Sequence, residues 1–266
     1  MSTVILLDVT DRIGTITLNR PERRNALDGE LVVALDAAVK QMAADPSVKV
    51  VVLSGAAPVG AHGGVCSGGD VKSGRGSPGM ELGVPPDALR GDLARHDLHA
   101  AMLLHLMPKP TIAMVGGPAV GAGCSLAAAC DLRYASDDAV FAANFSPNGL
   151  SGDYGGTFLW THIAGTAVAR RLYLLNEKLT AQQALALGMV HEVVPAADLC
   201  ARVHEVASSL AKVPAQVMAL VKDNLNQAED DVERRRFLFA NEAENQGAAR
   251  RMIAERLRAR ENLGNT

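Results

Sequence analysis

Thr111-Ile112-Ala113-Met114-Val115 runs into Gly116-Gly117-Pro118-Ala119-Val120-Gly121-Ala122-Gly123, and Cys124-Ser125-Leu126-Ala127-Ala128-Ala129 follows. The first five residues are apolar and β-rich, which predicts a strand. Glycine and proline turn the middle, and the small residues at the end open a helix. The stretch from Pro110 to Cys130 carries no charge until Asp131 and includes a G-x-x-x-G at Gly117 to Gly121. That is the length of a membrane span and the spacing of a helix-dimer face. Gly116, Gly117, Pro118, Gly121 and Gly123 break it into strand, turn and helix start, so the stretch reads as soluble α/β structure.

The chain on either side supports that reading. Val4 to Val9 and Ile13 to Leu18 predict a β-hairpin. Asn19-Arg20-Pro21 breaks it, and Asp28 is placed to cap a helix whose apolar face is Leu31, Leu35, Ala38, Val39 and Met42. Asp45-Pro46 ends that helix, and Val48 to Leu53 reads as a buried strand. Residues 55–87 are rich in glycine and proline, a length of loop usually tied to function. Leu89 to Leu106 predicts a helix, and Leu132 to Ala135 and Val140 to Ala142 short strands. Helices then follow over Gly156 to Ala164, Ala167 to Leu175, Ala181 to Leu187, Leu199 to Leu210, Ala215 to Gln227 and Val232 to Arg260. Strands alternate with helices in the first half and helices alone follow, so the fold class is α/β with a helical tail. We divide the chain into a core over 1–195 and a C-terminal helical region over 196–266. No internal repeat is evident.

Composition narrows the function. The chain has 266 residues, 48% of them apolar and 21% charged, which is a globular balance. A net charge of −3 argues against binding nucleic acid through phosphate neutralisation. The late basic cluster of Arg234 to Arg236, Arg250 and Arg251 fits a solvated helix face. Cys66, Cys124, Cys130 and Cys200 show neither paired nor metal-like spacing, consistent with reduced thiols in the cytoplasm. Met1 to Thr10 lacks the pattern of a signal peptide.

Two glycine turns carry the chemistry. Val65-Cys66-Ser67-Gly68-Gly69-Asp70-Val71-Lys72 is the first, and Gly116 to Cys124 is the second. The second opens a helix, where unpaired N–H groups and a positive dipole end gather. Brought together, the two turns would offer a pair of backbone donors to one developing oxyanion. Other readings stay open. Gly121 to Leu126 begins like G-x-G-x-x-G but has Leu126 at the third glycine, which weakens a dinucleotide site. Gly123 to Ala127 is a loosened nucleophile elbow in which Ser125 would attack, although no histidine partner is identifiable. Either turn alone could be purely structural.

These residues, in this order, resemble the crotonase (enoyl-CoA hydratase/isomerase) superfamily. The opening motif is Asn19-Arg20-Pro21 with Asn25-Ala26-Leu27. Cys66 to Lys72 is similar to the first oxyanion segment. Pro108 to Ala113, Gly121 to Cys124 and Cys130-Asp131-Leu132 are similar to the second. Gly149-Leu150, Gly155-Gly156-Thr157 and Ala184 to Val190 continue the series. The resemblance implies a spiral of ββα units with a C-terminal helical trimerisation region, giving a homotrimer or a dimer of trimers. It implies an acyl-CoA substrate and no separate cofactor, metal, nucleic-acid or membrane partner. It puts the oxyanion donors on the N–H groups of Gly69 and Ala122. It puts coenzyme A near Arg23, Arg24, Ala26, Ser67, Gly68, Asp70, Val71 and Lys72, and the rest of the substrate beside Gly121, Ser125 and Phe145.

The chain departs from the family's hydratases at one decisive point. Their two glutamates would fall at Ser125 and Phe145 here. Hydration needs water activated on one side and a proton delivered to carbon, and paired carboxylates suit that work. Asp153, in Gly152-Asp153-Tyr154-Gly155-Gly156, is the acid that remains. In the family's isomerases and dehalogenases an aspartate in that setting acts on the substrate, so Asp153 is the expected catalytic group, with helix capping as the alternative. Phe145, Phe158 or Trp160 beside it would raise its pKa. His62, His96 and His99, with Asp92, Asp97 and Tyr154, are nearby candidates of undecided role. One base suffices to shift a double bond, which makes isomerisation the first expectation. Hydration by other groups, a Ser125 hydrolase and a non-catalytic CoA-binding oligomer are the alternatives.

Overall fold

The computed structural model describes residues 4–57, 63–70 and 99–229, and four isolated positions beyond them, 245, 251, 255 and 258. Val71 and Lys72, with His62, His96, Asp92 and Asp97, lie outside the described residues.

The hairpin forms as expected. β1 (Ile5–Thr10) pairs antiparallel with β2 (Ile13–Leu18). β3 (Val50–Gly55), β4 (Thr111–Val115), β6 (Leu132–Ser136) and β9 (Glu192–Val194) then extend the sheet in parallel, in the order β1-β2-β3-β4-β6-β9. A second sheet joins β5 (Pro118–Val120), β7 (Val140–Ala142) and β8 (Leu179–Thr180) in the order β5-β7-β8. Of the four strands of two or three residues, only β7 is read from the sequence; β5, β8 and β9 escape it because so few residues carry no period.

Both faces of the large sheet are covered, which explains why β3 is apolar at alternate and intervening positions alike. Val51 and Leu53 join Ile16, Leu18 and Ala113 in the main core. Val50 and Val52 join Ile13, Ile112 and Tyr134 in a second core on the opposite face. Helix α1 (Gly29–Ala44) packs on the first face through Leu31, Leu35, Val39 and Met42, and the Asp28 carboxylate caps it by accepting from Leu31 N–H at 2.9 Å. α2 (Ala100–Leu106), α3 (Ala122–Ala129), α4 (Gly156–Leu174) and α5 (Ala181–Ala186) follow. α6 (Leu199–Ala211) closes the opposite face with Leu199, Val203, Ala207 and Ala211, and α7 (Ala215–Glu229) ends the described chain.

Two boundaries sharpen the sequence reading. α3 begins at Ala122 rather than Cys124, so Gly123 lies inside the helix. α4 spans both helices expected between Gly156 and Leu175, with Gly165 at φ 82° and ψ 161° as the break between them. No helix among the described residues is long and apolar enough to cross a membrane.

Candidate active site

The site begins with the first sequence motif, whose residues are mostly structural. Asn25 is buried at φ 54°. Its side-chain oxygen accepts from Arg20 N–H at 2.9 Å, and its amide donates to the carbonyls of Ala56 (3.0 Å) and Gly64 (2.9 Å). The turn is thereby tied to the end of β3 and to the chain entering Cys66. The Arg20 guanidinium meets Asp28 at 2.9 Å and Asp70 at 3.3 Å, and Arg23 approaches Asp70 at 3.8 Å. Asp70 is 7% exposed and anchors this cluster. Arg23 and Arg24 are exposed, Ala26 is buried with its carbonyl accepting from Arg20, and Ser67 N–H donates to the Arg24 carbonyl at 3.1 Å. Arg23 and Arg24 thus flank the first glycine turn as exposed residues, Arg23 also approaching Asp70.

That turn is held on both sides. Leu27 N–H donates to the Gly68 carbonyl and Asp70 N–H to the Leu27 carbonyl, both at 2.8 Å. This ladder turns the Gly69 peptide N–H away from Leu27. On the other side Val120 N–H donates to the Cys66 carbonyl at 2.9 Å, and Cys66 bridges Ala119.

The two glycine turns therefore touch, backbone against backbone. Gly68 has φ 96° and Gly121 φ 57°. A Cβ on Gly121 would lie 3.3 Å from the Gly68 Cα, and one on Gly68 would lie 3.2 Å from the Val120 carbonyl oxygen. Only glycine combines that conformation with that approach. Each proposed donor residue directly follows one of these glycines. Ala122 opens α3, so its N–H has no acceptor within the helix. Among the described residues no hydrogen bond uses the N–H of Gly69 or of Ala122.

One turn into α3 stands Ser125. Its hydroxyl is fully buried and has no hydrogen-bond partner among the described residues. The start of α4 covers it, since a Cβ on Gly156 would lie 2.1 Å from Ser125 Oγ and 2.3 Å from the Tyr173 hydroxyl. The Tyr173 ring stacks on Phe145, with centroids 5.9 Å apart and planes 10° from parallel. Phe145 is 6% exposed. Nothing in the sequence pointed to Tyr173 or Gly156 as neighbours of Ser125, because only the break at Gly165 brings the two arms of α4 together there.

Asp153 is half-buried in a loop of unusual backbone. Gly152, Tyr154 and Gly155 have φ of 148°, 54° and 69°. Left-handed Tyr154 costs about 1 kcal/mol or more, the kind of strain that gathers at functional sites. The Asp153 carboxylate accepts from Tyr154 N–H at 2.8 Å, and its backbone carbonyl accepts from Gly156 N–H at 3.1 Å. Gly155 is the cap residue of α4 and no side chain caps it, so the capping alternative for Asp153 does not describe this helix. Tyr154 meets His99 edge-on at 6.5 Å, and His99 Nδ1 lies 3.9 Å from Asp36. Phe158 packs on His162 at 4.1 Å, and Trp160 is fully buried with the Arg133 guanidinium 6.0 Å from its ring. Trp160 also meets the Cys124 thiol, so its ring spans from Arg133 to the first turn of α3.

The far end of α3 holds a cavity of about 360 Å³, lined by residues including His105, Asp131, Arg133, His162 and Asn226. Among the described residues no group of three or more His, Cys, Asp or Glu side chains is placed to hold a metal ion.

A family model described as enoyl-CoA hydratase/isomerase matches residues 8–254. The chain belongs to the enoyl-CoA hydratase/isomerase family. It is 35% identical over 232 residues to a 1,2-epoxyphenylacetyl-CoA isomerase of Escherichia coli, covering 86% of this chain and 84% of that one. It is 30% identical over 231 residues to a 4-chlorobenzoyl coenzyme A dehalogenase of an Arthrobacter species, covering 85% and 79%. Among solved structures, an enoyl-CoA hydratase from Mycobacterium avium subsp. paratuberculosis superposes with a TM-score of 0.79 at 29% identity, covering 94% of both chains. This family member is thus an enzyme with the crotonase-type α/β fold expected from its sequence. Its named relatives include an isomerase, a dehalogenase and hydratases, so family membership alone does not fix the reaction.

Proposed function

We propose that this enzyme moves a double bond within an acyl-CoA thioester, with Asp153 as the single acid/base. The observation that carries the reading is the pairing of Gly68 with Gly121, which leaves the N–H groups of Gly69 and Ala122 without acceptors among the described residues. Such a pair suits the oxygen of a thioester as it becomes an enolate, and each donor of this kind is worth about 10²–10³ in rate. Asp153 takes the proton from the carbon between the thioester and the double bond. The electron pair spreads into a dienolate whose oxygen rests between the two donors. The same proton returns to the far carbon of the conjugated system, and nothing is gained or lost overall.

Buried Ser125 and the Phe145 ring stand where hydratases of this family carry glutamates, which supports isomerisation over hydration. The Ser125 hydroxyl has no base among the described residues, so hydrolysis through it is not favoured. Coenzyme A is assigned to the face carrying Arg23, Arg24 and Ser67. The reading extends to self-association through the C-terminal region, where α7 exposes Val217, Leu220, Val221 and Leu225.

The test is an assay of wild type and Asp153→Asn with a 3-enoyl-CoA and a 2-enoyl-CoA. Wild type is expected to isomerise the first and to leave the second unhydrated, and the folded variant to lose about 10²–10⁴ in rate. Hydration of the 2-enoyl substrate that survives in Asp153→Asn would overturn the assignment.

A further inference from the structure

We infer that the cavity at the far end of α3 binds a small organic monocarboxylate, an acid with a short apolar body, at a site separate from the proposed oxyanion donors. The inference does not depend on the isomerase reading. Residues of α2, the end of α3, β6, the first arm of α4 and α7 meet around this cavity of about 360 Å³. That volume lies in the range of about 300–1,000 Å³ that small-molecule sites occupy. Ala128, which lines it, follows Ala122 by six residues, or about 9 Å along the axis of α3. The cavity is therefore a different place from the turn that presents the Ala122 N–H.

Its lining combines one net charge with apolar surface. Arg133 is buried, and its guanidinium is fixed in place by donating from Nε to the Met189 carbonyl at 2.7 Å and from Nη1 to the Cys130 carbonyl at 2.6 Å. Those neutral carbonyls orient the cation without cancelling its charge. The Asp131 carboxylate also lines the cavity, but Lys222 Nζ stands 2.8 Å from it and neutralises it. Among the described residues the lining therefore sums to one positive charge. His105 and Asn226, both buried, add polar side chains. Leu159, Ile163 and Leu225 join Ala128 as the apolar share. A guanidinium suits a carboxylate, and the aliphatic side chains suit a hydrocarbon body that leaves water. An inorganic anion would make no use of the apolar residues, and an uncharged hydrocarbon would make none of the cation.

Trp160 supplies a built-in probe, since it is the one tryptophan of the chain and its ring lies 6.0 Å from the Arg133 guanidinium. The experiment titrates the whole protein with hexanoate, following Trp160 fluorescence and, independently, the heat of binding. Saturable binding is expected with a Kd on the order of 0.1–1 mM. Acetate, hexan-1-ol and inorganic phosphate are each expected to bind at least about tenfold more weakly. Ala128→Leu and Ile163→Phe add atoms to the cavity from α3 and from α4. Each is expected to weaken hexanoate about tenfold or more while circular dichroism stays that of wild type. If only one of them folds, that one decides. Unchanged hexanoate binding in the folded variants overturns the site and puts the acid elsewhere, the thioester site included. Equal binding of hexan-1-ol, acetate or phosphate overturns the monocarboxylate class. No saturable signal by either method up to about 10 mM overturns the inference as a whole.

Discussion

The two ends of α3 use opposite solutions to the same problem. A helix leaves backbone groups unpaired at both ends. At the N-terminal end, the described residues leave the Ala122 N–H without an acceptor, and the neighbouring surfaces are glycine backbone. At the C-terminal end, side chains converge. Arg133 donates to the Cys130 carbonyl at 2.6 Å and to the Met189 carbonyl at 2.7 Å. The Asp131 carboxylate accepts from Thr111 N–H at 2.7 Å and from the Thr111 hydroxyl at 2.9 Å. Lys222, 5% exposed, reaches from α7 to Asp131 at 2.8 Å and to the carbonyls of Leu104 and Lys109 at 3.0 and 3.1 Å. One end leaves a backbone donor without an acceptor among the described residues, and the other ties the second half of the chain to the first. On the proposed function, chemistry and stability would be separated along eight residues of helix.

Substitutions can break this comparison from either end. Gly121→Ala carries the largest expected effect. Its side chain would need the left-handed conformation and would press on Gly68, displacing the donor pair. Activity toward an acyl-CoA substrate is expected to fall by about 10²–10³, with a stability loss of roughly 1–2 kcal/mol from the strained backbone. A comparable loss of stability with retained activity would show that the pair is merely structural. Lys222→Met tests the other end. It leaves Asp131 and two carbonyls short of a partner, and urea denaturation should show a loss of about 2–3 kcal/mol. Its kcat/KM should stay close to wild type, and a large fall in turnover would mean that the two ends are coupled.

The smallest effect concerns the thiols. Burial pushes Cys66, Cys124 and Cys130, all near α3, up to about 12, whereas Cys200 is exposed on α6. Thiolate is the reactive form, so the native protein at pH 8 should take up one equivalent of a maleimide, at Cys200, with activity unchanged. Rapid labelling of a second cysteine would show that the packing around α3 opens.

Sequence reading caught local elements better than the contacts between them. The hairpin, the Asp28 cap and strand β4 were legible because each rests on a local signal: β-rich runs, a capping side chain, a bounded apolar stretch. The role of Asp70 was less legible. Its place in the first glycine turn suggested coenzyme A, yet its carboxylate is turned inward to Arg20 and Arg23. Nor did the sequence show that Trp160 would be fully buried with the Arg133 guanidinium 6.0 Å from its ring.

By itself, the sequence determined the longer strands and most of the helices, the two glycine turns, the presence of serine and phenylalanine rather than glutamate at 125 and 145, and the presence of Asp153. Each is a property of residue type and short spacing. Only the tertiary structure decided that Gly68 meets Gly121, that Tyr173 reaches Ser125 and stacks on Phe145, and that Lys222 closes on Asp131. Those contacts join residues far apart in the chain. They follow from packing two sheets and several helices around shared cores, which no local pattern of residues encodes.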